Sequence, residues 1–422
     1  MTGALIFIGD ELVCGAIENT NSVVAGKILT SYGFEIGEIV ILPDNVESIT
    51  KCLENLTDKY DFLIVSGGLG PTDDDLTNLA VAKAFNLRLK ENKNFLSAIF
   101  SAREYKDSQD IAKKMALLPE GAVPLSKDFS SAGYLLNIKN KLLFFLPGVP
   151  FQFEFLLKNE VVPKLLQLKP KIKKQVIKTL RFFDLNETDI NQVINNFPED
   201  LLSSVKIGYY PVFPELKLIL QGEEEKKISI FIERLKEDFS LHLVSETDKG
   251  LPEVIGELLK KRKEKLAVAE SCTGGLLSSF ITSVSGSSIY FDRGFITYSP
   301  ESKVELLGVN PETIKKFDVV SFEVAIEMAE GVRKKTGVDY ALSITGFAGP
   351  TGGTPENPVG TVYIGFSFQN KVKAFRFNFS GSRKHIQVLA SYTSLDILRR
   401  YLLYGEGFFS YRFATGIKEK TF

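Results

Sequence analysis

Ser271 occupies a position at which a serine could act as a nucleophile. It follows an apolar strand predicted over 266–269 and precedes Gly274 and Gly275, where a helix is predicted to begin. Its hydroxyl would then lie at the positive end of a helix dipole, near unpaired backbone N–H groups able to hold an oxyanion. Taken singly, such a serine is more often a helix N-cap. Cys272 is the competing nucleophile, but neighbouring side chains point apart and cysteine is commonly buried, so we assign Cys272 to packing.

A serine nucleophile needs a base, and the chain offers few histidines for that role. The two histidines are His242 and His385, and the polar face of the helix predicted around His385 indicates a surface residue. A lysine is the alternative base, provided that burial lowers its pKa. Tyr298 lies at the end of a predicted strand and Lys303 about one helical turn later, so both could face the same crevice.

The segment 66–75 combines a glycine-rich turn with a run of carboxylates, between an apolar strand and a predicted helix. Its glycines let the backbone N–H groups face inward and cradle an anion; they are Gly67, Gly68 and Gly70. The Gly-Lys-Ser/Thr ending of a Walker A loop is absent. The carboxylates at 73–75 would repel a bare phosphate, and they make sense if a divalent cation bridges them to it. A tight turn followed by an acidic helix start is the alternative.

Other residues that could contact a ligand follow the neighbouring apolar strands of the same segment. They lie at 9–11, Gly15, 19–21, Pro43, Asp44 and 146–150. Because strand ends converge on the ligand crevice of a doubly wound sheet, we expect Asp44 and Asn21 to lie near the glycine-rich turn, with Asn21 in contact with the substrate.

Composition limits the classes of partner. Hydrophobic residues make up 44% of the chain and charged residues 24%, as in ordinary globular proteins. The net charge of −1 gives no global field toward nucleic acid or anionic lipid. No apolar run approaches the ~20 residues that a membrane span needs, and residues 1–13 do not form a signal peptide. Three widely spaced cysteines fit a reducing compartment. We therefore expect a soluble cytoplasmic protein without nucleic-acid or membrane partners.

The elements that must position these residues form three segments, predicted as domains over 1–168, 175–248 and 252–404. In the first, apolar strands alternate with helices, which predicts a parallel sheet covered by helices. A lysine-rich stretch over 158–178 is interpreted as a helix end and a linker. The second segment is predicted as a small α+β linker or dimerisation unit, and an RNA-binding module is the alternative. The third alternates strands and helices again, and the tail after Tyr404 has no interpretation.

The first segment resembles the molybdopterin-binding fold of the MoaB/MogA group and, more closely, the N-terminal domain of the CinA family. The motifs that carry this resemblance are 66–75, 43–44 and 146–150, with Val149 where many relatives have proline. The resemblance implies a doubly wound domain with metal-dependent pyrophosphatase activity on ADP-ribose. By motif position, Asp44 and Asp75 match the functional aspartates, and Asp74 is a further candidate ligand. The metal would be magnesium or a transition metal.

The third segment carries longer motifs that look like the nicotinamide-nucleotide amidase domain of the same family. They are AESCTGG at 269–275, GFITYS at 294–299, VS at 320–321, TGFAGP at 345–350, GGT at 352–354 and PVGTV at 358–362. The resemblance implies that Ser271 is the nucleophile, that Tyr298 and Lys303 assist it, and that no cofactor is needed.

The same resemblance implies a cradle for the substrate's ribose phosphate. The residues involved would be Gly274, Gly275, Thr345, Gly346, Gly349 and Arg383. Ser382 stands where an acidic residue is usual, so the contribution of an acid there is lost.

Together the segments imply a bifunctional hydrolase of pyridine-nucleotide salvage, acting as a homodimer. The C-terminal domain would deamidate nicotinamide mononucleotide to nicotinate mononucleotide, and the N-terminal domain would split ADP-ribose into AMP and ribose 5-phosphate. A non-catalytic, competence-linked nucleotide-binding protein and a pterin-handling enzyme are the alternatives.

Overall fold

The computed structural model describes residues 1–101, 109–125, 132–169 and 175–421. Residues 170–174 of the predicted lysine-rich stretch lie outside the described residues. The chain divides into two compact units, Met1–Val176 and Ile177–Phe422. The middle segment therefore groups with the C-terminal segment, whereas the finer boundaries of three domains stay a prediction.

The first unit is built around one mixed six-stranded sheet. Its strands, and those of a small two-stranded sheet, are β1 (Thr2–Ile8), β2 (Glu35–Leu42), β3 (Phe62–Ser66), β4 (Leu89–Glu91), β5 (Leu117–Pro119), β6 (Val123–Pro124), β7 (Tyr134–Ile138) and β8 (Lys141–Leu146). Its helices are α1 (Asp10–Val13), α2 (Thr20–Ser31), α3 (Val46–Lys59), α4 (Thr77–Ala84), α5 (Lys93–Ser101), α6 (Gln109–Ala116), α7 (Pro150–Leu156) and α8 (Val162–Leu168), with a π-turn at Leu157–Val161 between the last two.

The order of the large sheet is β2-β1-β3-β8-β7-β6, and its first four strands run parallel. Strands β1, β3 and β8 are almost wholly apolar because helices cover both faces of the sheet, where two separate cores form. In register, Ile8 lies beside Leu42 and Ser66 beside Leu146, so these four strands end at one edge. The predicted doubly wound sheet is confirmed.

The second unit contains two sheets. Its strands are β9 (Val176–Phe182), β10 (Lys206–Val212), β11 (Glu215–Gly222), β12 (Leu243–Ser245), β13 (Leu266–Glu270), β14 (Phe291–Ile296), β15 (Tyr340–Gly346), β16 (Thr361–Phe368), β17 (Lys371–Asn378) and β18 (Ala414–Thr421). Its helices are α9 (Glu187–Ile194), α10 (Glu199–Leu202), α11 (Glu225–Phe239), α12 (Leu251–Arg262), α13 (Leu276–Thr282), α14 (Pro300–Leu307), α15 (Pro311–Phe317), α16 (Phe322–Thr336) and α17 (Arg383–Tyr404).

The larger sheet has the order β14-β13-β15-β16-β17-β18, and β13 runs parallel to both of its neighbours. The smaller sheet has the order β10-β11-β9-β12. The tail that sequence analysis could not interpret forms the edge strand β18 and buries Phe409 and Tyr411 in the core. No helix in the described part of the chain is both long and apolar enough to cross a bilayer.

Helix α17 carries a fully buried group of charges. The Asp396 carboxylate accepts hydrogen bonds from Arg399 Nε at 2.6 Å and from Arg400 Nε at 2.7 Å. Arg399 also donates to the carbonyl of Leu243 at 2.8 Å, and Arg400 donates to the carbonyl of Ser410 at 2.5 Å. These contacts connect the helix to the small sheet and to the C-terminal tail.

We predict that Asp396→Ala destabilises the second unit by about 3–5 kcal/mol, because it leaves the buried Arg399 without its counter-ion and Arg400 with only Asp184, whose Oδ2 lies 3.7 Å from it. Urea unfolding followed by circular dichroism measures the loss. Asp238→Ala, on the exposed face of α11, is the control and should shift stability by no more than ~0.5 kcal/mol. Equal stability of the two variants would contradict the prediction.

Candidate active site

Ser271 begins a tight turn between β13 and α13. It is 8% exposed, and its backbone N–H donates to the carbonyl of Ile344 on β15 at 3.0 Å. Strand β13 lies between β14 and β15, so the turn leaves the sheet at the common end of three parallel strands. The serine predicted from the motif therefore sits where ligand crevices form in sheets of this kind.

Glu270 precedes the serine and shapes the turn, a role that sequence analysis missed. Its buried carboxylate accepts hydrogen bonds from the N–H groups of Gly275 (3.0 Å), Leu277 (3.0 Å) and Ser278 (2.8 Å), and from Ser278 Oγ (2.7 Å). A carboxylate at a helix N-terminus satisfies amides that the helix itself leaves open. The N–H of Gly275 is therefore engaged and is not available to a substrate oxygen.

Two amides of the turn remain open. The N–H of Gly274 donates to the carbonyl of Ser271 at 3.1 Å, whereas those of Cys272 and Thr273 donate to no other residue in the part of the chain that the structure describes. The hydroxyl of Thr273 is also buried without a partner there. The free backbone N–H groups predicted beside the serine are those of residues 272 and 273.

Lys303 is the buried cation of this site. It is 1% exposed, and its Nζ donates to Ser271 Oγ at 3.1 Å and to the carbonyls of Thr297 at 2.7 Å and Tyr298 at 3.4 Å. Burial lowers the pKa of Lys303 to about 8, and the negative charge of Glu301 opposes this shift. The side chain thus lies within hydrogen-bond reach of the serine and titrates close to neutral pH.

Helix α14 holds Lys303 there because its first turn is well defined. Ser299 caps the helix by accepting a hydrogen bond from the Ser302 N–H at 3.1 Å, and Pro300 occupies its first position. Lys303, four residues after the cap, is thereby directed back over the end of β14. Tyr298 is thus the residue before the cap and Lys303 lies in the first turns of α14, which accounts for their separation in the sequence.

Tyr298 is placed at the rim and not beside the serine. Its side chain is 63% exposed, and its hydroxyl accepts a hydrogen bond from Arg383 at 3.3 Å. Only its backbone carbonyl reaches Lys303. Arg383 donates in addition to the carbonyl of Gly349 at 2.8 Å, so these three predicted residues come together at one side of the site.

Thr345 and Gly346 anchor the glycine-rich loop of the second unit, which spans residues 346–360. The Thr345 hydroxyl donates to the carbonyl of Val319 at 2.8 Å. A Cβ on Gly346 would lie 2.6 Å from the Thr361 carbonyl oxygen, so only glycine fits this close backbone approach. A phosphate cradle formed by this loop stays a prediction, with Gly349 and Arg383 as its residues nearest the rim.

The remaining side chains near the site lie on the Ser271 turn and at the start of α17. Cys272 is 5% exposed, and burial raises the pKa of its thiol to about 12, which supports its assignment to packing. Gln387 on α17, which sequence analysis missed, donates through Nε2 to the Cys272 carbonyl at 2.8 Å. His385 is exposed beside Ser382, whose Oγ lies 2.7 Å from its Nδ1.

In the first unit, Asp44 lies among carboxylates at the strand ends. Its Oδ2 accepts from the Asp10 N–H at 2.9 Å, and its own N–H donates to Asp10 Oδ1 at 3.3 Å. Burial raises the pKa of Asp44, and the negative charges of Asp10, Glu11 and Asp74 raise it further.

Asp74 and Asp75 are engaged with the turn that precedes them. Asp75 Oδ2 accepts hydrogen bonds from the N–H of Thr72 at 2.7 Å and from its hydroxyl at 2.6 Å. A hydrogen bond from Thr72 also lowers the pKa of Asp74, which is exposed. Among the residues described, no group of three or more His, Cys, Asp or Glu side chains is placed to hold a metal ion. The predicted ligands therefore do not fit a preformed metal centre.

Asn21 does lie at the crevice, beside the glycine-rich turn. It is 7% exposed and donates to the Gly148 carbonyl at 2.8 Å and to Ser66 Oγ at 3.4 Å, while its amide oxygen has no partner in the described part of the chain. A cavity of about 200 Å³ opens against Asn19, Asn21, Ser66 and Gly148.

The predicted glycines of that turn are tightly packed. A Cβ on Gly67, whose φ is +108°, would lie 2.2 Å from the carbonyl oxygen of Ile8. Added Cβ atoms would also meet side chains at the other two positions: Thr77 Oγ1 at 2.3 Å for Gly68 and Asp75 Oδ2 at 2.6 Å for Gly70.

Comparison with known proteins finds a matching family for each end of the chain. Residues 4–167 match the family described as a probable molybdopterin binding domain, and residues 248–402 match the CinA C-terminal domain. A CinA-like protein of Desulfotalea psychrophila is 40% identical over 408 residues, which cover 94% of this chain and 98% of the relative. The chain belongs to the CinA family. A putative competence-damage inducible protein of Caldicellulosiruptor saccharolyticus, 37% identical over 414 residues, covers 96% of the chain and is itself fully covered.

The CinA match over 248–402 contains the Ser271 turn, Lys303 and all but the last two residues of α17. The MoaB/MogA-like fold expected for the first unit is confirmed by its family match. A solved CinA-superfamily structure from Klebsiella pneumoniae is 32% identical, with 36% of this chain and 95% of that chain covered and a TM-score of 0.35.

We predict that Cys272 is protected from alkylation in the folded protein. Iodoacetamide at pH 8 should modify the exposed Cys14 at least ~100 times faster, because Cys272 is buried and its thiol stays protonated. Peptide mapping by mass spectrometry measures both rates, and alkylation in urea, where the two should react alike, is the control. Equal rates in the folded protein would restore Cys272 as a candidate nucleophile.

Proposed function

We propose that this member of the CinA family deamidates nicotinamide mononucleotide, with Ser271 as nucleophile and Lys303 as base. The observation that carries the proposal is the 3.1 Å contact between Lys303 Nζ and Ser271 Oγ in a setting that lowers the lysine pKa to about 8. Amide hydrolysis by a serine requires such a base within hydrogen-bond reach.

In the first half-reaction, neutral Lys303 takes the proton of the Ser271 hydroxyl while Oγ bonds to the carboxamide carbon. The carbonyl electron pair moves onto oxygen, and the open N–H groups of Cys272 and Thr273 are the donors on offer to that oxyanion. When the intermediate collapses, the C–N bond breaks and its electron pair stays on nitrogen. Lys303 returns the proton to that nitrogen, ammonia leaves, and Ser271 carries an ester.

In the second half-reaction, a water molecule attacks the ester and Lys303 accepts its proton. The C–Oγ bond breaks, Ser271 recovers its hydrogen from Lys303, and nicotinate mononucleotide is released. The same lysine therefore acts as base and acid in turn, which a group with a pKa near the working pH does best.

The lowered pKa decides how much of the enzyme is ready to react. At pH 7, a lysine with a pKa of about 8 is neutral in about one molecule in ten. At the ordinary value of 10.5 the neutral fraction would be only about one in three thousand. Burial of Lys303 therefore increases the reactive population by a factor of about 300.

Recognition of the substrate is proposed to rest on the rim. Arg383 presents a guanidinium that Tyr298 and Gly349 already hold in place, and such a group suits a phosphate. Because Ser382 is neutral, no carboxylate at that position opposes the phosphate. A homodimer and a cytoplasmic location stay predictions.

For the first unit we propose ADP-ribose hydrolysis as a second activity. The unpaired amide oxygen of Asn21 beside the cavity, and the carboxylates around Asp44, favour a polar ligand at the strand ends. The requirement for a divalent metal stays a prediction from the run of carboxylates at 73–75 and from the resemblance, and the described residues form no preformed metal centre.

Substitution of Lys303 tests the amidase proposal. Lys303→Ala should slow ammonia release from nicotinamide mononucleotide by at least ~100-fold. Lys303→Arg should not rescue it, because guanidinium keeps its proton. Ser271→Ala should be inactive and Cys272→Ala active. Because the base acts when neutral, kcat should rise with pH and level off above a pKa of about 8.

Lys315→Ala, which removes an exposed lysine from α15, is the matched control and should retain full activity. An active Lys303→Arg enzyme would show that the side chain supplies only charge. A wild-type protein that binds the nucleotide but releases no ammonia would instead support the non-catalytic alternative.

The first unit is tested with ADP-ribose and a measurement of AMP. Asp44→Asn should reduce AMP release by at least ~10-fold and leave ammonia release unchanged, whereas Asp58→Asn, at an exposed side chain near the end of α3, should affect neither. A chelator should abolish AMP release, and Mg²⁺ should restore it, if the metal prediction is correct. Parallel loss of both activities in Asp44→Asn would contradict two independent sites.

A further inference from the structure

Gln387 connects α17 to the turn that carries the nucleophile. Its side chain is half-buried, and Nε2 donates to the carbonyl oxygen of Cys272 at 2.8 Å. Gln387 lies four residues after Arg383, so both side chains are on the same face of the helix. One face of α17 therefore contacts the rim of the site through Arg383 and its floor through Gln387.

The carbonyl that Gln387 holds belongs to the same peptide group as the open N–H of Thr273. A trans peptide is planar, and its C=O and N–H point in opposite directions. By directing the Cys272 carbonyl toward α17, Gln387 also fixes the direction of the Thr273 N–H. That N–H donates to no other residue in the described part of the chain, so nothing else within it holds this peptide in place from the N–H side.

The peptide groups on either side are held by different partners. The Ser271 N–H bonds to Ile344, the Gly274 N–H bonds to the Ser271 carbonyl, and the Gly275 N–H bonds to Glu270. None of these neighbouring hydrogen bonds involves the peptide group between residues 272 and 273. Rotation of that peptide group is thus opposed chiefly by the hydrogen bond from Gln387.

We propose that Gln387 is a positioning residue that aims the Thr273 N–H at the oxyanion formed during amide hydrolysis. The inference rests on the proposed function at Ser271. It is independent of the base, because Lys303 contacts Ser271 Oγ and the carbonyls of Thr297 and Tyr298 but not that of Cys272. Loss of Gln387 should therefore weaken stabilisation of the transition state and leave proton transfer unaltered.

Gln387→Ala should lower kcat for nicotinamide mononucleotide by about 10- to 100-fold, somewhat less than the loss of an oxyanion donor itself. The KM should stay within about twofold, since Arg383 is untouched. The pH dependence of kcat should keep its pKa of about 8. Gln387→Glu, which has the same shape but presents only acceptor oxygens to the carbonyl, should be as slow as the alanine variant.

Gln387→Arg restores N–H donors and should recover most of the lost kcat. Gln192→Ala, the same truncation at an exposed position of α9, should behave as the wild type. A fully active Gln387→Glu enzyme, or a change in KM alone, would overturn the positioning role. A wild-type protein inactive on the nucleotide would refute the proposed function, which distinguishes that failure from an active wild type whose Gln387 variants are equally active.

Discussion

The second unit depends on keeping the Lys303 ammonium out of water beside Ser271. A buried ammonium requires acceptors for its protons, and the chain provides the serine hydroxyl and two backbone carbonyls from the end of β14. Those carbonyls lie correctly only because α14 begins at once, with Ser299 as its cap. Strand end, cap and lysine are therefore one local structure, and its desolvation lowers the lysine pKa toward the range in which a base is useful.

The turn that carries Ser271 must instead keep two buried backbone N–H groups free of partners from the chain. Glu270 takes up three N–H groups of α13, and Gln387 takes up the Cys272 carbonyl. The N–H groups of Cys272 and Thr273 have no such partner in the described part of the chain. Open buried donors are costly unless a ligand completes them, so their presence beside a serine and a titratable lysine supports an anion-forming reaction there.

Much of this arrangement follows from local patterns in the sequence. Alternating apolar strands and helices predicted the sheet of the first unit, whose first four strands are parallel. The spacing of Tyr298 and Lys303 predicted a lysine near Ser271. The role of Glu270 at the start of α13 was not predicted, although a carboxylate just before a helix is a local signal. The N–H groups of Gly274 and Gly275 were interpreted as a site for a substrate oxygen, whereas that of Gly275 bonds to Glu270. Gln387 was not predictable, since its partner lies 115 residues away. Binding of a metal by Asp44, Asp74 and Asp75 stays a prediction. Thr72 engages Asp75 within its own turn through both its N–H and its hydroxyl, a preference of side-chain geometry that spacing does not reveal.

The two units differ in how complete their sites are without a ligand. Around Ser271 the side chains of Glu270, Lys303 and Gln387 already have partners from the chain, so the geometry for reaction is organised in advance and the open N–H groups of Cys272 and Thr273 are left for the substrate. At the strand ends of the first unit, burial raises the pKa of Asp44 and repulsion from Asp10, Glu11 and Asp74 raises it further. The Asn21 amide oxygen is unpaired among the described residues. Repulsion between carboxylates and an unsatisfied buried acceptor both favour binding of a group that brings positive charge or donors. The first unit therefore requires its ligand to complete the site, whereas the second unit requires only that its substrate enter.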